Sequence, residues 1–191
     1  PLSDMRNYVE RLRAASQVVG PLPPIVLATL RRKMVQLATE IADGAVWANA
    51  SRSHIPTSLQ EIPQEKRDGD FFIGNMIPTV IDDDREAAAA VNRRTLTGYV
   101  ALPNYRNYWK EAGYVEEMEA IEKALEAGER DRIPGLMSDR WLADATLFGS
   151  VKDVREGVEK WFEAGVTPIL VPSSTKGGQM KAFEEILAAY A

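Results

Sequence analysis

Residues 25–49 read Ile-Val-Leu-Ala-Thr-Leu-Arg-Arg-Lys-Met-Val-Gln-Leu-Ala-Thr-Glu-Ile-Ala-Asp-Gly-Ala-Val-Trp-Ala-Asn. Ile25–Leu30 is a short, almost wholly apolar run. Such a run suits a strand covered on both faces, as a parallel sheet requires. Met34, Leu37, Ala38 and Ile41 then recur at helical spacing, and Asp43-Gly44 supplies a stop. Ala45–Ala48 is a second apolar run. Strand, helix and strand in this order form the pattern of a parallel crossover unit.

Upstream, Met5, Tyr8, Val9 and Leu12 mark an amphipathic helix, and Gly20, Pro21, Pro23 and Pro24 impose an extended lead-in. Downstream, residues 51–69 are polar and read as a loop or irregular helix. Phe71–Ile81 is a third strand, ended by Asp82, Asp83 and Asp84, which favour the start of a helix over about 85–99. The stretch 100–148 is mostly helical, with a stripe at Met118, Ile121 and Leu125. Ser150 and Asp153 approximate a capping box. The helix they open has an expected buried stripe of Val154, Val158, Trp161 and Phe162, and Gly165 ends it. Thr167–Val171 is a fourth strand, and Phe183, Ile186, Leu187 and Tyr190 mark a last helix.

Each of the four expected strands is followed by a helix, which argues an α/β fold with a parallel sheet. An open doubly wound sheet and a closed eight-stranded barrel both satisfy that order. No Gly-x-Gly-x-x-Gly follows the first strand: residues 28–34 are Ala-Thr-Leu-Arg-Arg-Lys-Met. Four strands cannot close an eight-stranded barrel, and a half barrel leaves two edges of unpaired backbone groups. A missing N-terminal half, a second copy or another chain is expected to cover them. The chain opens on Pro1 rather than Met, so a processed, trimmed or lost start is expected. The organisation expected is one domain over 1–191. It has a leading helix and linker at 1–20 and four β/α units over 21–191, with an insertion around 100–148.

Composition bounds the function. The 191 residues are 45% hydrophobic and 27% charged, enough to bury a core. A net charge of −5 disfavours general nucleic-acid binding, which needs a basic face. Cysteine is absent, which excludes thiolate metal sites and a cysteine nucleophile and fits a cytoplasmic protein. No apolar run is long enough to span a bilayer. With one histidine and scattered carboxylates, no metal set is expected.

Residues 25–49 resemble the fifth strand, fifth helix and sixth strand of the bacterial luciferase-like superfamily. The likeness rests on Lys33-Met34, Leu37-Ala38 and Glu40-Ile41-Ala42-Asp43-Gly44. A second likeness runs over Phe148–Pro172. It rests on Gly149-Ser150, Val154-Arg155-Glu156, Glu163-Ala164-Gly165-Val166 and Ile169–Pro172, and is similar to the last helix and strand of those barrels. Ile77–Arg85 adds a weaker one. The resemblance implies the C-terminal half of a TIM-type (β/α) barrel, incomplete as a single chain. It also implies FMN or a 5-deazaflavin coenzyme at the C-terminal ends of the strands. The implied activity is that of an oxidoreductase or monooxygenase acting on a small organic substrate by oxygen insertion or hydride transfer, inactive without the N-terminal half.

The turn after the first strand is the leading cofactor site: Thr29, Leu30, Arg31, Arg32, Lys33 and Met34. Arg31, Arg32 and Lys33 place three positive charges at a helix N-terminus, where free N–H groups favour anions. Family members often carry Gly-Pro where this chain has Arg31-Arg32, so the resemblance does not transfer the family's backbone approach unchanged. The plain alternative is a solvated basic turn. Asn49 and Ser51 follow the second strand and are candidate substrate contacts, or simple turn residues. Ser173–Gly178 has residue types that suit an anion nest, though a flexible turn before the final helix explains them better. His54 sits in a polar loop without an assignable acid and reads as a surface residue, and Asp82–Asp84 read as a helix start. No catalytic residue is assignable. The competing function is a non-catalytic half barrel that self-associates through its open sheet edges, as a homo-oligomer.

Overall fold

The computed structural model describes residues 2–191; Pro1, on which the expectation of a trimmed start rests, lies outside the described residues. The chain opens with α1 (Leu2–Val19), β1 (Val26–Thr29), α2 (Arg32–Ile41) and β2 (Gly44–Ala48). A 3-10 turn at Arg52–His54 leads into α3 (Ile55–Leu59), α4 (Gln64–Arg67) and β3 (Phe72–Ile81). Then come α5 (Arg85–Val100), α6 (Pro103–Glu111), α7 (Val115–Glu126), α8 (Ile133–Leu136) and α9 (Asp139–Ala145). The chain closes with β4 (Leu147–Gly149), α10 (Val151–Glu163), β5 (Thr167–Ser173) and α11 (Gln179–Tyr190).

All strand pairings are parallel. β1, β2, β3 and β5 lie side by side in that order. β4 pairs with Thr79–Ile81 of β3 on the edge that β2 leaves free beyond Met76. The four expected strands form within two residues of their expected bounds. β4 was not expected, because three residues between two helices are too few to show a period.

The register sorts side chains into two faces. Leu27, Ala45, Trp47, Asn75 and Ile77 lie on the face covered by helices and are buried. Val26, Phe72, Met76 and Val171 belong to the other face and are 40, 38, 40 and 37% exposed. Gly44 and Gly74 share that open face, since a Cβ on either would strike Phe72. The core lies mainly on the helix-covered face, though Val80, near the C-terminal end of β3, is buried as well.

Local chemistry sets the helix ends. Asp84 caps α5 by accepting from Ala87 N–H at 3.0 Å. Ser150 and Asp153 form the full capping box of α10. The buried stripe of α10 is Val154, Gly157, Val158 and Trp161. The expected Phe162 is instead 52% exposed, one position off the stripe. In α11, Ala182 and Ala189 are buried and Ile186 partly so, while the expected Phe183, Leu187 and Tyr190 face outward. Asp43-Gly44 is less a helix stop than a strand start. α2 gives way to an extended Ala42, and Asp43 Oδ2 accepts from Ile25 N–H at 2.7 Å, fixing the base of β1.

Candidate functional site

In parallel β/α folds, chemistry gathers at the C-terminal ends of the strands. Here those ends are roofed by the insertion, α6–α9. Trp109 donates from Nε1 to the carbonyl of Asn49 at 3.2 Å, and Tyr108 Oη accepts from Ser51 N–H at 3.2 Å. Asp144 accepts from Ser53 N–H (3.0 Å), Ser53 Oγ (2.7 Å) and Tyr114 Oη (2.8 Å). The loop after β2 is thus tied to α6, to α9 and to Tyr114, just before α7.

Asn49 is held at φ 59, the sole non-glycine residue in the left-handed region among the described residues. Asparagine tolerates that conformation better than most side chains. Asn49 and Ser51 are both buried, and Asn49 Nδ2 and Ser51 Oγ have no hydrogen-bond partner among the described residues. Thr29 Oγ1 and Asn75 Nδ2 share that state. Buried polar atoms without partners are uncommon and call for water or ligand. Four of them gather at the ends of β1, β2 and the facing part of β3.

The basic turn forms a second feature. Arg31, Arg32, Lys33 and Met34 line a cleft of about 510 Å³ together with Leu2 and Glu111. Leu30 contributes its carbonyl, which accepts from Trp47 Nε1 at 3.2 Å. Arg31 adopts an ordinary extended backbone, φ −113 and ψ 161, so this turn needs no glycine. Met34 and Val35 N–H both donate to Arg31 O. Arg32 and Lys33 occupy the first turn of the ten-residue α2, where helix geometry leaves N–H groups without acceptors. Arg31 forks onto Glu111, with Nε 3.0 Å from Oε1, and that bond holds its pKa above the ordinary value. Arg32 Nε lies 3.0 Å from Glu61. Lys33 has no ion-pair partner among the described residues.

The remaining candidates fall elsewhere. The Ser173–Gly178 loop is latched to the turn after β3. Thr175 donates to Asp82, Lys176 Nζ lies 3.5 Å from the same carboxylate, and Ser174 donates to Glu185. Thr175 chiefly holds the Asp82 carboxyl below its usual range. An acidic group at this place works against an anion nest. No cluster of metal-ligating side chains occurs among the described residues.

His54 is half-buried rather than on the surface, packed edge-on against Tyr108 with ring centroids 5.5 Å apart. Burial pulls its pKa below the ordinary value, opposed by the negative charges of Glu111 and Asp144. The folded protein then binds fewer protons here than the unfolded chain. Stability is therefore full above about pH 6.5 and falls as pH drops toward the lowered folded value. His54 is the only histidine, so it is the only imidazole to titrate in melts between about pH 7.5 and about pH 5.5. Tm should fall across that window, and His54→Gln should flatten the slope. A flat profile for the unaltered protein would place the imidazole in solvent.

Sequence reasoning missed the insertion's part in the site. Tyr105, Tyr108 and Trp109 recur at helical spacing, a signal that was available, whereas the reach of Glu111 to Arg31 is a matter of tertiary placement. The two tyrosines beside Asp144 stay protonated. Burial raises the pKa of Tyr108, and burial with Asp144 pushes Tyr114 up to about 12.

Comparison with known proteins follows the same outline. The luciferase-like monooxygenase family profile matches residues 5–168. A relative from Mycobacterium tuberculosis, named as a coenzyme F420-dependent oxidoreductase, is 26% identical over 179 residues, covering 85% of this chain and 52% of its own. An uncharacterized protein of Mycobacterium bovis is 23% identical over 160 residues, covering 78% and 47%. Among solved structures, the coenzyme F420-dependent tetrahydromethanopterin reductase from Methanopyrus kandleri superposes with a TM-score of 0.69 at 20% identity, over 85% of this chain and 48% of that one. An F420-dependent secondary alcohol dehydrogenase, solved with an F420-acetone adduct, gives 0.58 at 12% identity, over 90% and 50%. The chain spans about half the length of the curated relatives it matches. No described helix is long and apolar enough to cross a membrane.

Proposed function

Because the chain belongs to the luciferase-like monooxygenase family, we propose that it forms the cofactor-holding half of an oxidoreductase that uses coenzyme F420, a 5-deazaflavin, on a small organic substrate. The observation that carries this reading is the cleft of Arg31, Arg32 and Lys33 at the start of α2, beside the C-terminal end of β1. Positive side chains and first-turn N–H groups together favour an anionic cofactor group. The names of the relatives support a deazaflavin over FMN.

A bound deazaflavin supplies hydride transfer. This chain's residues bind and orient it. Lys33 and the first turn of α2 hold the anionic part, while Arg31 and Arg32 serve after exchanging Glu111 and Glu61 for the ligand. Asn49, Ser51, Thr29 and Asn75 offer unpaired polar atoms at the strand ends. The insertion keeps Asn49 and Ser51 in place through Trp109 and Tyr108.

Titrating the chain with F420 and following the quenching of deazaflavin fluorescence tests this. Lys33→Glu should weaken binding about tenfold, or about 1.4 kcal/mol. Glu111→Gln should tighten it, because Arg31 is then released. Added salt should weaken it. Absence of quenching, both for the chain alone and with the first half of the Mycobacterium tuberculosis relative added, would remove the assignment.

A further inference from the structure

We infer that the last turn of α6 couples the two parts of the site: an anion that takes Arg31 from Glu111 frees this turn, and with it Asn49 and Ser51. The inference rests on the reading of the Arg31–Lys33 cleft as an anion site and adds an order of binding to it.

Three contacts leave one helical turn. Tyr108 Oη accepts from Ser51 N–H, and Trp109 Nε1 donates to the Asn49 carbonyl. Glu111, the last residue of α6, takes the Arg31 guanidinium, with Nε 3.0 Å from Oε1 and 3.2 Å from Oε2. β1 and β2 are parallel neighbours, with Thr29 beside Trp47, so the loops leaving their ends run side by side. The end of α6 therefore clamps both loops at once. Of the three contacts, only the one to Arg31 is open to a solute. The Arg31 and Glu111 side chains are 48 and 44% exposed, whereas Tyr108 and Trp109 are buried. A half-exposed ion pair is weak and screened by salt, so a multiply charged anion competes for it.

Releasing Glu111 is felt inside the helix. A negative charge at a helix C-terminus opposes the macrodipole, and Arg31 offsets it here. Lys110 in the same turn is committed to Glu122 of α7, at 2.6 Å. Without Arg31, α6 stays moored to α7 through Arg106 and Lys110, which share Glu122, but its grip on the two loops weakens. Arg32 provides the contrast. Its partner Glu61 is 21% exposed and also accepts from Gln36 Nε2 at 2.7 Å, so that pair is anchored on α2 itself.

The clamp covers unsatisfied polar groups. Asn49 Nδ2 and Ser51 Oγ have no partner among the described residues, and the two residues are 3 and 0% exposed. With α6 down, no ligand reaches them. Asn49 is held at φ 59 between its own N–H, which donates to Met76 O, and Trp109, which donates to its carbonyl. Lifting Trp109 leaves that conformation supported from one side only. The cofactor's anionic group therefore binds first, and a substrate carrying hydrogen-bonding groups meets Asn49 and Ser51 second. Linkage makes the effect mutual: whatever loosens the loop raises anion affinity by the same factor.

Hydrogen exchange on the 191-residue chain tests this, with inorganic pyrophosphate as the probe. Millimolar pyrophosphate should speed exchange about fivefold over 49–53 and over 112–114, whose amides close the end of α6. Lys33→Glu should remove that response. Glu111→Gln should show the faster exchange with no anion present, and pyrophosphate should then add nothing. Glu61→Gln should leave both segments unchanged. Tyr108→Phe, which keeps the ring and removes the acceptor for Ser51 N–H, should tighten pyrophosphate in calorimetry, with circular dichroism unchanged in every variant. Unchanged or slower exchange over 49–53 in Glu111→Gln, alongside measurable pyrophosphate binding, would overturn the coupling and leave the anion site standing. No pyrophosphate binding by the parent or by Glu111→Gln would overturn the coupling and the cofactor cleft together.

Discussion

Trp109→Ala should lower stability by about 3–5 kcal/mol, the usual cost of deleting a buried tryptophan. The ring is fully buried, stacked edge-on with Trp141 at 4.9 Å and beside Tyr105 at 5.4 Å. Its Nε1 also holds the carbonyl of Asn49. The variant therefore opens a cavity and frees a residue kept in the left-handed region. Trp109→Phe separates these effects, since it keeps most of the volume and loses the hydrogen bond, at about 1 kcal/mol for the bond. Urea unfolding reads both. If Trp109→Ala stays within about 1 kcal/mol of the parent, the insertion is an appendage and not a brace for the strand-end loops.

Gly44→Val should be the second most damaging change, at about 3 kcal/mol. A Cβ at this position would lie 2.7 Å from the Phe72 carbonyl oxygen and 2.8 Å from Phe72 Cβ. The obstruction is largely backbone, so no rotamer change relieves it. β2 and β3 must move apart where Gly44 pairs with Phe72. Gly98→Ala in α5 is the contrast: nothing lies within 4 Å of its added Cβ, and alanine favours the helix. That variant should hold or gain stability, by up to about 1 kcal/mol. Equal loss in both would mean that close strand approach is not what Gly44 provides.

The strand–helix–strand unit at 25–49 was legible because its apolar runs are short and its helix stripe is regular. β3 was legible for the same reason, and Asp82–Asp84 marked its end. Residues whose roles depend on distant contacts were not. Phe162 looks apolar and well spaced, yet it lies one step off the face that meets the sheet. Phe183, Leu187 and Tyr190 form a regular stripe, but it faces away from the helix's own packing partners. A periodic pattern shows that a face is apolar; it does not say what covers it. The positions Arg31, Arg32 and Lys33 were readable from their place after the first strand, whereas their pairing with Glu111 and Glu61 comes from segments far along the chain.

β3 touches every other strand except β1, engaging β2, β4 and β5 along its ten residues. Among the described strands, only β1 with β2 is able to pair before this segment emerges during synthesis. β4 and β5 then wait until Leu147 and Thr167 are reached, well beyond the end of β3 at Ile81. The assembly of the sheet is consequently back-loaded, with its longest loop closures left to the end. Ribosome-bound intermediates halted within 100–148 would carry a finished three-strand ladder and a raw edge, which makes that interval the one in which a chaperone has most to shield.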